Sequence, residues 1–408
     1  MSAATIPAPR VAERVRRIKP SPSSAAADRA AALRREGRSI VSLVVGEPDF
    51  DTPANIRRAA AQAMERGATR YTTLAGTPEL RQAIAAKLRR ENGLDYGPGD
   101  IVVTNGCKSA IYSALEATLE PGEEVIVPAP YWVSYTDMTL ACGGRPVTLA
   151  CPAAQGFKLV PAQLAAAITP RTRWLIVNSP SNPTGATYSI AEWRGLANVL
   201  REHPHVLVMT DDIYEHIRFA GDGPAPHLLN AAPELRERTL AINGVSKTYA
   251  MTGWRIGWAA GPRDIIEALG TLLSQASGNA CSVSQAAAVE ALEGDQGFVA
   301  ESVATYLSRR DRMAARINAI PGLACTPPEG AFYLYVNCAG LIGRRTQDGA
   351  RLSTDEDVVL HLLESAGVAL VPGAAYGLSP YFRLSIATSA DVLDEGADRI
   401  ARAVAALR

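Results

Sequence analysis

Short apolar runs rich in β-branched residues alternate with longer amphipathic segments from about residue 100 onward. Runs of this kind are typical of buried strands, and apolar residues at helical spacing are typical of the helices that cover them. The alternation therefore predicts a mostly parallel sheet with flanking helices. The predicted strands span 101–104, 124–128, 145–149, 174–178, 206–210 and 239–242. The predicted helices span 108–119, 190–202, 263–273 and 283–293.

The pattern changes near residue 297, where a long amphipathic segment begins. Here the predicted helices span 297–318, 355–366 and 391–407, and the predicted strands lie at 331–336, 368–371 and 382–386. This mixture predicts a smaller α+β domain, with which we expect the segment before residue 46 to pack. The expected fold is α/β, with an N-terminal arm and part of the small domain at 1–45, a large domain at 46–296 and the rest of the discontinuous small domain at 297–408.

Length and composition agree with two domains and narrow the class of partner. A chain of 408 residues is too long for one small core. Its 41 basic and 41 acidic residues cancel, which favours neither nucleic acid nor an anionic membrane as partner. No apolar run approaches the ~18 residues that span a bilayer. Six cysteines without C-x-x-C spacing favour a reducing cytoplasm, and the few histidines predict no metal site.

Candidate chemistry follows each strand of the central block. A lysine, Lys247, comes just after the sixth strand, at the sheet edge where open α/β folds bind ligands. Most lysines are solvated surface charges, whereas a desolvated one becomes a nucleophile toward carbonyl groups. The other strands end in an Asn-Gly-Cys-Lys-Ser turn before a helix, a Tyr-Trp pair, a Ser-Pro-Ser-Asn-Pro-Thr-Gly string and an Asp-Asp-Ile-Tyr segment. Each of these alone is compatible with ordinary capping or packing.

Together these groups predict a site for pyridoxal phosphate. A phosphate would meet the 106–109 turn with Ser246 and Arg255, because N–H groups at a helix start bind anions. Trp132 would meet a flat ring and Asp211 its ring nitrogen. The remaining partners are Tyr214 and Asn182 for a phenolic oxygen, and Lys247 for an aldehyde. Enzymes of this cofactor use a lysine Schiff base and an acidic partner for the pyridine nitrogen.

Ordered motifs over nearly the whole chain resemble one family. They are Gly46-Glu47-Pro48-Asp49-Phe50, Tyr71 with Gly76 and Glu79-Leu80-Arg81, 179–185, 211–214, Ser246-Lys247, Met251-Thr252-Gly253-Trp254-Arg255-Ile256-Gly257, Val371-Pro372-Gly373 and Phe382-Arg383-Leu384-Ser385. The chain resembles the class I pyridoxal-phosphate aminotransferases of the aspartate aminotransferase type. The resemblance implies the large homodimeric fold of that family (fold-type I), with active sites at the subunit interface.

The resemblance also implies a role for each matched residue. Lys247 would carry the cofactor as a Schiff base and act as the catalytic base, assisted by Asp211 and Tyr214. Arg383 would bind the substrate α-carboxylate in a bidentate manner. The other implied cofactor contacts are Gly106, Cys107, Lys108, Trp132, Asn182, Ser246, Arg255 and, from the second subunit, Tyr71. The other implied substrate contacts are Gly46, Trp132, Asn182, Lys108 and Ser21.

The resemblance also implies which class of substrate the enzyme accepts. Lys108 matches the position where one subgroup uses a lysine against the distal carboxylate of aspartate or glutamate, and Ser21 and Ser23 match hydroxyls that this subgroup adds from the other subunit. The alternative for Lys108 is a solvated lysine in the first turn of a helix. Departures are Cys107 in the phosphate turn and the 274–281 segment, which overhangs the neighbouring site in the family. We expect an acidic substrate in one half-reaction; the alternative is an aromatic, prephenate-like or specialised substrate.

Three other functions are alternatives to amino transfer. A lyase, decarboxylase or oxidase could use the same cofactor contacts. A ligand-sensing domain of a transcription regulator would need an appended helix-turn-helix module, which the sequence lacks. A nicotinamide dehydrogenase would need a G-x-G-x-x-G fingerprint after the first strand, and Asn105-Gly106-Cys107-Lys108 does not supply it. The predicted reaction is transfer of an amino group between an L-amino acid and a 2-keto acid, as the resemblance implies, and the lyase, decarboxylase or oxidase alternative stays open.

Overall fold

The computed structural model describes residues 10–221 and 223–408. Its strands are β1 (Val41–Ser42), β2 (Ile101–Thr104), β3 (Glu124–Ala129), β4 (Arg145–Ala150), β5 (Thr172–Asn178), β6 (Leu207–Asp211), β7 (Thr239–Gly244), β8 (Gly257–Ala260), β9 (Tyr333–Asn337), β10 (Val368–Ala369), β11 (Val371–Pro372) and β12 (Tyr381–Ser385). Its α-helices are α1 (Glu13–Arg16), α2 (Pro22–Arg35), α3 (Ala54–Glu65), α4 (Pro78–Lys87), α5 (Cys107–Thr118), α6 (Ser134–Ala141), α7 (Pro161–Ala167), α8 (Ile190–Glu202), α9 (Leu228–Ala231), α10 (Arg263–Ala276), α11 (Ser282–Glu293), α12 (Gly297–Asn318), α13 (Asp355–Ala366) and α14 (Ala390–Ala405).

A seven-stranded sheet in the order β2-β8-β7-β6-β5-β3-β4 forms the centre of the molecule. Its neighbours pair in parallel except at β8, which is antiparallel to both β2 and β7. Alternate side chains enter opposite cores: Ile101 and Val103 pack on one face, and Val102 packs on the other. Because helices cover both faces, β2 is buried along its whole length and its sequence is nearly all apolar. The predicted mostly parallel sheet is confirmed.

Strand β8 was not predicted from the sequence. Its first residue, Gly257, ends the 251–257 string, whose sequence predicts only a binding motif. In the structure, β8 fills the space between β2 and β7, with Gly257 opposite both Thr104 and Gly244. A Cβ atom on Gly257 would lie 2.4 Å from the backbone nitrogen of Cys107, so only glycine fits where β8 passes the start of α5.

The C-terminal part contains a three-stranded antiparallel sheet in the order β11-β12-β9, and β1 pairs in parallel with β10. Residues of α12, α13 and α14 pack with β9 and β12 in a separate apolar cluster. Helix α2 packs its buried Ala30 and Leu33 against Val371 and Tyr376. The predicted small α+β unit therefore has its own core. The boundaries at 45/46 and 296/297 stay a prediction, and residues 1–9 of that division lie outside the described residues.

Local sequence signals explain several helix starts. Ser189 caps α8: its hydroxyl accepts from the Glu192 N–H, and the Glu192 carboxylate accepts from the Ser189 N–H. Thr354 and Asp357 form the same arrangement at α13. Among residues 10–221 and 223–408, none of the helices combines the length and apolar character that a bilayer crossing needs.

Candidate active site

A cavity of about 320 Å³ lies at the carboxyl ends of β5, β6 and β7. This is the edge where parallel α/β sheets place their ligands. Most of the predicted site residues line it, namely Ser21, Gly46, Cys107, Lys108, Trp132, Asn182, Asp211, Tyr214, Ser246, Lys247, Arg255 and Arg383. A wider surface groove of about 980 Å³ runs along α13 and α14 and contains none of these residues.

Lys247 lies on the cavity wall three residues beyond β7. Its Nζ donates a hydrogen bond to the carbonyl oxygen of Gly46 at 2.6 Å. Loss of hydration in this position lowers the pKa of the ammonium group to about 8, with smaller contributions from nearby charges. A substantial share of neutral amine is therefore present at mildly alkaline pH. A neutral lysine amine is a nucleophile and a general base.

Asp211 ends β6 and is almost fully buried. Its carboxylate accepts a hydrogen bond from the Tyr135 hydroxyl at 2.6 Å and one from the Ile213 N–H at 3.3 Å. Burial nevertheless raises the pKa of Asp211 to about 6, because neutral donors only partly replace the lost water. A cationic group brought next to this carboxylate would therefore be strongly favoured. The geometry suits the proton of a ring nitrogen.

Tyr135 was missed by the sequence reasoning, although it lines the cavity and is the main hydrogen-bond donor to Asp211. It lies in the first turn of α6, three residues after Trp132, and the two rings meet edge to face at 5.3 Å. That spacing was the available signal, since residues three apart at a helix start point to the same side. Nothing in the sequence, however, connects α6 with β6.

A glycine turn forms a cradle at the start of α5. Gly106 has φ +85°, and a Cβ atom there would lie 2.4 Å from Nη2 of Arg255. The Arg255 guanidinium is held across the turn by the carbonyl oxygens of Thr252, at 2.8 Å, and Asn105, at 3.3 Å. Free N–H groups of the first helical turn, this guanidinium and the buried Ser246 hydroxyl therefore surround one space. Such a donor set suits a phosphate.

Cys107 is the first residue of α5, and burial raises the pKa of its thiol well above the ordinary value. The side chain is therefore a neutral thiol, and the backbone N–H is the group that it offers to an anion.

Lys108 reaches over Trp132, with Nζ 4.9 Å from the indole centroid. Partial burial, followed by the charge of Arg255, lowers the pKa of Lys108. Ser21 and Ser23 line the same cavity, and the Ser23 hydroxyl lies 3.5 Å from the Tyr376 hydroxyl. These serines were expected in the neighbouring subunit's site. Within this chain α2 packs against the small domain, and both serines line the chain's own cavity. Their contribution to a second subunit's site stays a prediction.

Arg383 lies on β12 and is 2% exposed. One guanidinium nitrogen donates to Asn182 Oδ1 at 3.0 Å, and the other donates to the carbonyl oxygen of Val44 at 2.6 Å. Its Nε atom is buried and has no hydrogen-bond partner among the described residues. A buried guanidinium with a spare donor, and with no acidic partner in the part of the chain that the structure describes, suits an incoming carboxylate.

Two predicted residues do not line the cavity. Gly106 contributes no surface to the cavity; because it has no side chain, it leaves room for the Arg255 guanidinium. The Tyr71 side chain is 97% exposed, in the loop before α4. Its expected entry into a second subunit's site stays a prediction. Tyr214, which does line the cavity, is buried, and its hydroxyl lies 2.8 Å from that of Tyr333.

Comparison with known proteins identifies the family. Residues 38–400 match the family model described as Aminotransferase class I and II. An aspartate aminotransferase of Rhizobium meliloti (strain 1021) is 52% identical over 376 residues, which cover 92% of this chain and 91% of the relative. An aspartate/prephenate aminotransferase of Cereibacter sphaeroides is 52% identical over 385 residues, covering 94% and 96%.

Solved structures agree with the sequence comparison. The crystal structure of the aspartate aminotransferase from Rhizobium meliloti superposes with a TM-score of 0.96 at 50% identity, over 98% of this chain and all of that one. The aspartate aminotransferase from Thermus thermophilus with maleate gives a TM-score of 0.90 at 39% identity, over 97% of this chain and all of that one. This chain therefore belongs to the class I and II aminotransferases and is a pyridoxal-phosphate-dependent aminotransferase.

Proposed function

We propose that this enzyme moves an amino group between aspartate or glutamate and the matching keto acids, 2-oxoglutarate and oxaloacetate. The observation that carries the proposal is one cavity that holds a lysine amine of lowered pKa, a buried carboxylate and a buried arginine with a spare donor. The names of the relatives from Rhizobium meliloti and Cereibacter sphaeroides support an acidic substrate.

The residues present fit pyridoxal phosphate. The cradle at Gly106, with Ser246 and Arg255, would hold the phosphate through the N–H groups of Cys107 and Lys108. Trp132 would cover the ring, Asp211 would hold the proton of the ring nitrogen, and Tyr214 with Asn182 would hold the phenolic oxygen. When bound, the cofactor supplies an aldehyde for an amine and a ring that accepts electrons from the substrate Cα.

Lys247 would then do two things. Its neutral amine would attach the cofactor, and after the substrate amine has displaced it, the same amine would remove the Cα proton and return it to the cofactor side. A pKa of about 8 suits both tasks, since a base works best near the operating pH. The Gly46 carbonyl, which accepts from Nζ at 2.6 Å, would keep the amine aimed into the cavity.

Arg383 and Lys108 would select and orient the substrate. The Arg383 guanidinium would bind the α-carboxylate through two parallel hydrogen bonds, helped by Asn182 and the Gly46 backbone. Lys108, which lies over Trp132 in the same cavity, would bind a distal carboxylate, helped by the Ser21 hydroxyl that also lines the cavity. Two cationic side chains available in one cavity favour a dicarboxylate. Prephenate, on the name of the Cereibacter sphaeroides relative, is the second candidate acceptor.

A half-reaction screen tests the substrate assignment. The absorbance of the lysine-bound cofactor is followed as single amino acids are added to the loaded enzyme. We expect a fast response to aspartate and glutamate, reduced roughly 10- to 100-fold in Lys108→Ala, because a hydrogen bond to a charged group contributes about 1.5–3 kcal/mol. The response to alanine should not change in that variant. Lys158→Ala, which removes a lysine paired with Glu192 away from the cavity, is the control.

Two outcomes of this screen would count against the proposal. A response to aromatic or basic amino acids alone would overturn the acidic substrate. Transamination that survives in Lys247→Ala at near wild-type rate would overturn the role of the lysine. If prephenate replaces oxaloacetate as the better acceptor, the second candidate is preferred.

We further propose a homodimer in the cytoplasm, in which Tyr71 enters the neighbour's cavity. The loop that carries Tyr71 is tied to the start of α11: Ser282 donates to the Ala68 carbonyl at 2.7 Å, and Gln285 donates to the Thr72 hydroxyl at 3.0 Å. The unusual 274–281 segment directly precedes this contact, so both segments belong to one exposed surface. Mixing Tyr71→Ala with Lys247→Ala should yield mixed dimers that are more active than the average of the two parents. Activity equal to that average would contradict the shared site.

A further inference from the structure

Tyr333, at the start of β9, lines the cavity although nothing in the sequence assigned it a role. It is 1% exposed, and its hydroxyl lies 2.8 Å from the Tyr214 hydroxyl. The two tyrosines come from different parts of the chain, since Tyr214 follows β6 of the large sheet and Tyr333 belongs to the three-stranded sheet. Their contact therefore links the two sheets at the cavity.

The ring of Tyr333 supports the buried arginine. The Arg383 guanidinium carbon lies 4.3 Å from the ring centroid, well within the range of a cation–π contact. Strand pairing fixes this arrangement, because Tyr333 is opposite Ser385 and Tyr335 is opposite Arg383 on adjacent strands. The guanidinium thus rests on an aromatic face while its nitrogens point to Asn182 and Val44.

Gly46 packs closely against the hydroxyl of Tyr333. A Cβ atom on Gly46 would lie 2.7 Å from this oxygen, so the space requires glycine. The Gly46 carbonyl in turn accepts from Lys247 Nζ. The Tyr333 hydroxyl therefore packs against Gly46, whose carbonyl orients Lys247, and it also hydrogen-bonds the Tyr214 hydroxyl. Simple packing would need neither the hydroxyl nor the glycine.

We propose that Tyr333 is a positioning residue with two separable functions. Its ring orients Arg383 for the substrate carboxylate, and its hydroxyl donates to the Tyr214 oxygen so that the Tyr214 proton points to the phenolic oxygen of the cofactor. The second function rests on the proposed cofactor contacts of Tyr214. Donation into the Tyr214 oxygen polarises that hydroxyl and makes it a stronger donor, which stabilises an ionised phenolic oxygen.

The two functions are separated by Tyr333→Phe and Tyr333→Leu. Phenylalanine keeps the ring and removes only the hydroxyl, whereas leucine removes both. Tyr335→Phe is the matched control, because it removes a buried hydroxyl of the same strand that bonds Leu378 instead. Each loaded variant is titrated with pH through the absorbance band of the lysine-bound cofactor, and kcat and KM for aspartate are measured.

We expect Tyr333→Phe to raise the midpoint of that titration by about 0.5–1 pH unit, as loss of one neutral hydrogen bond implies, with KM changed less than about twofold. Tyr333→Leu should show the same shift and also raise KM by roughly 3- to 30-fold through loss of the cation–π contact. Tyr335→Phe should titrate like the wild type.

Three results would overturn the inference. They are a Tyr333→Phe titration equal to that of the wild type, an equal shift in Tyr335→Phe, or a KM for Tyr333→Leu no higher than for Tyr333→Phe. Failure of the proposed function looks different: the wild type itself would then form no absorbance band that depends on Lys247.

Discussion

The molecule contains two sets of a buried lysine and a buried carboxylate, and the sets differ in whether the two charges bond each other. In the cavity, Lys247 donates to a neutral carbonyl and Asp211 accepts from neutral donors. In a buried charge cluster formed by Lys87, Asn92, Glu215 and Asn243, the ammonium of Lys87 bonds the Glu215 carboxylate directly. The Asn92 and Asn243 amides, each at 2.6 Å, complete that carboxylate's shell.

The pKa values follow this difference. Glu215 is as deeply buried as Asp211, but the pKa of Glu215 is lowered because the charges of Lys87 and His216 outweigh the loss of hydration. The pKa of Asp211 is raised to about 6, and that of Lys247 is lowered to about 8, mainly by burial. A buried ion pair with satisfied hydrogen bonds stabilises the scaffold. Lys247 and Asp211 have neutral hydrogen-bond partners but no ion-pair partner among the described residues, which is the arrangement expected where a ligand binds.

The largest effect is expected from breaking the satisfied pair. Lys87→Met leaves the Glu215 carboxylate buried without its cation, which typically costs about 3–5 kcal/mol of unfolding free energy. Denaturant unfolding would measure it. Adding Glu215→Gln to Lys87→Met should restore most of the loss. Lys158→Met, which breaks a more exposed pair with Glu192, should cost less than about 1 kcal/mol. Equal losses in the two single variants would contradict the comparison.

In the cavity, by contrast, removing a buried charge is expected to raise the free energy of unfolding. In the unfolded chain Asp211 ionises near 3.8, but in the folded protein it ionises only near 6, so its contribution to stability is lost as the pH rises through 6. Asp211→Asn should therefore stabilise the cofactor-free protein at pH 8 by roughly 1–3 kcal/mol while abolishing turnover. The gain should shrink as the pH falls from 6 to 4. A gain that does not vary with pH would exclude this explanation.

Tyr135→Phe should lower kcat, and this effect should be smaller than the loss of turnover in Asp211→Asn. Without this donor the pKa of Asp211 rises further, so the carboxyl group is more often protonated itself and less often present as the anion that stabilises a protonated ring nitrogen. We expect kcat to fall roughly tenfold, because a hydrogen bond to a charged group contributes about 1.5–3 kcal/mol and only part of it is lost in the rate. KM for aspartate should change little. Tyr131→Phe, a nearby half-buried tyrosine, is the control; an equal fall there would indicate general packing.

The sequence predicted one of the two sets and not the other. Lys247 and Asp211 follow predicted strands, so their meeting at one sheet edge could be expected from the pattern. The Lys87–Glu215 pair joins residues 128 positions apart through α4, a helix that the pattern did not reveal. Tyr135 and Tyr333 were missed for the same reason, since their contacts depend on how a helix and a second sheet dock on the first. Arg383 could be assigned only through the resemblance to a family.

Attachment of the cofactor to Lys247 is the central claim, and the chain is well suited to a direct test because its lysines are only at positions 19, 87, 108, 158 and 247. The loaded enzyme is reduced with borohydride, digested and analysed by mass spectrometry for a pyridoxyl adduct. The account predicts one adduct, on the peptide that contains Lys247, and its loss in Lys247→Ala. An adduct on Lys108 or another lysine of the wild type, with Lys247 unmodified, would contradict it.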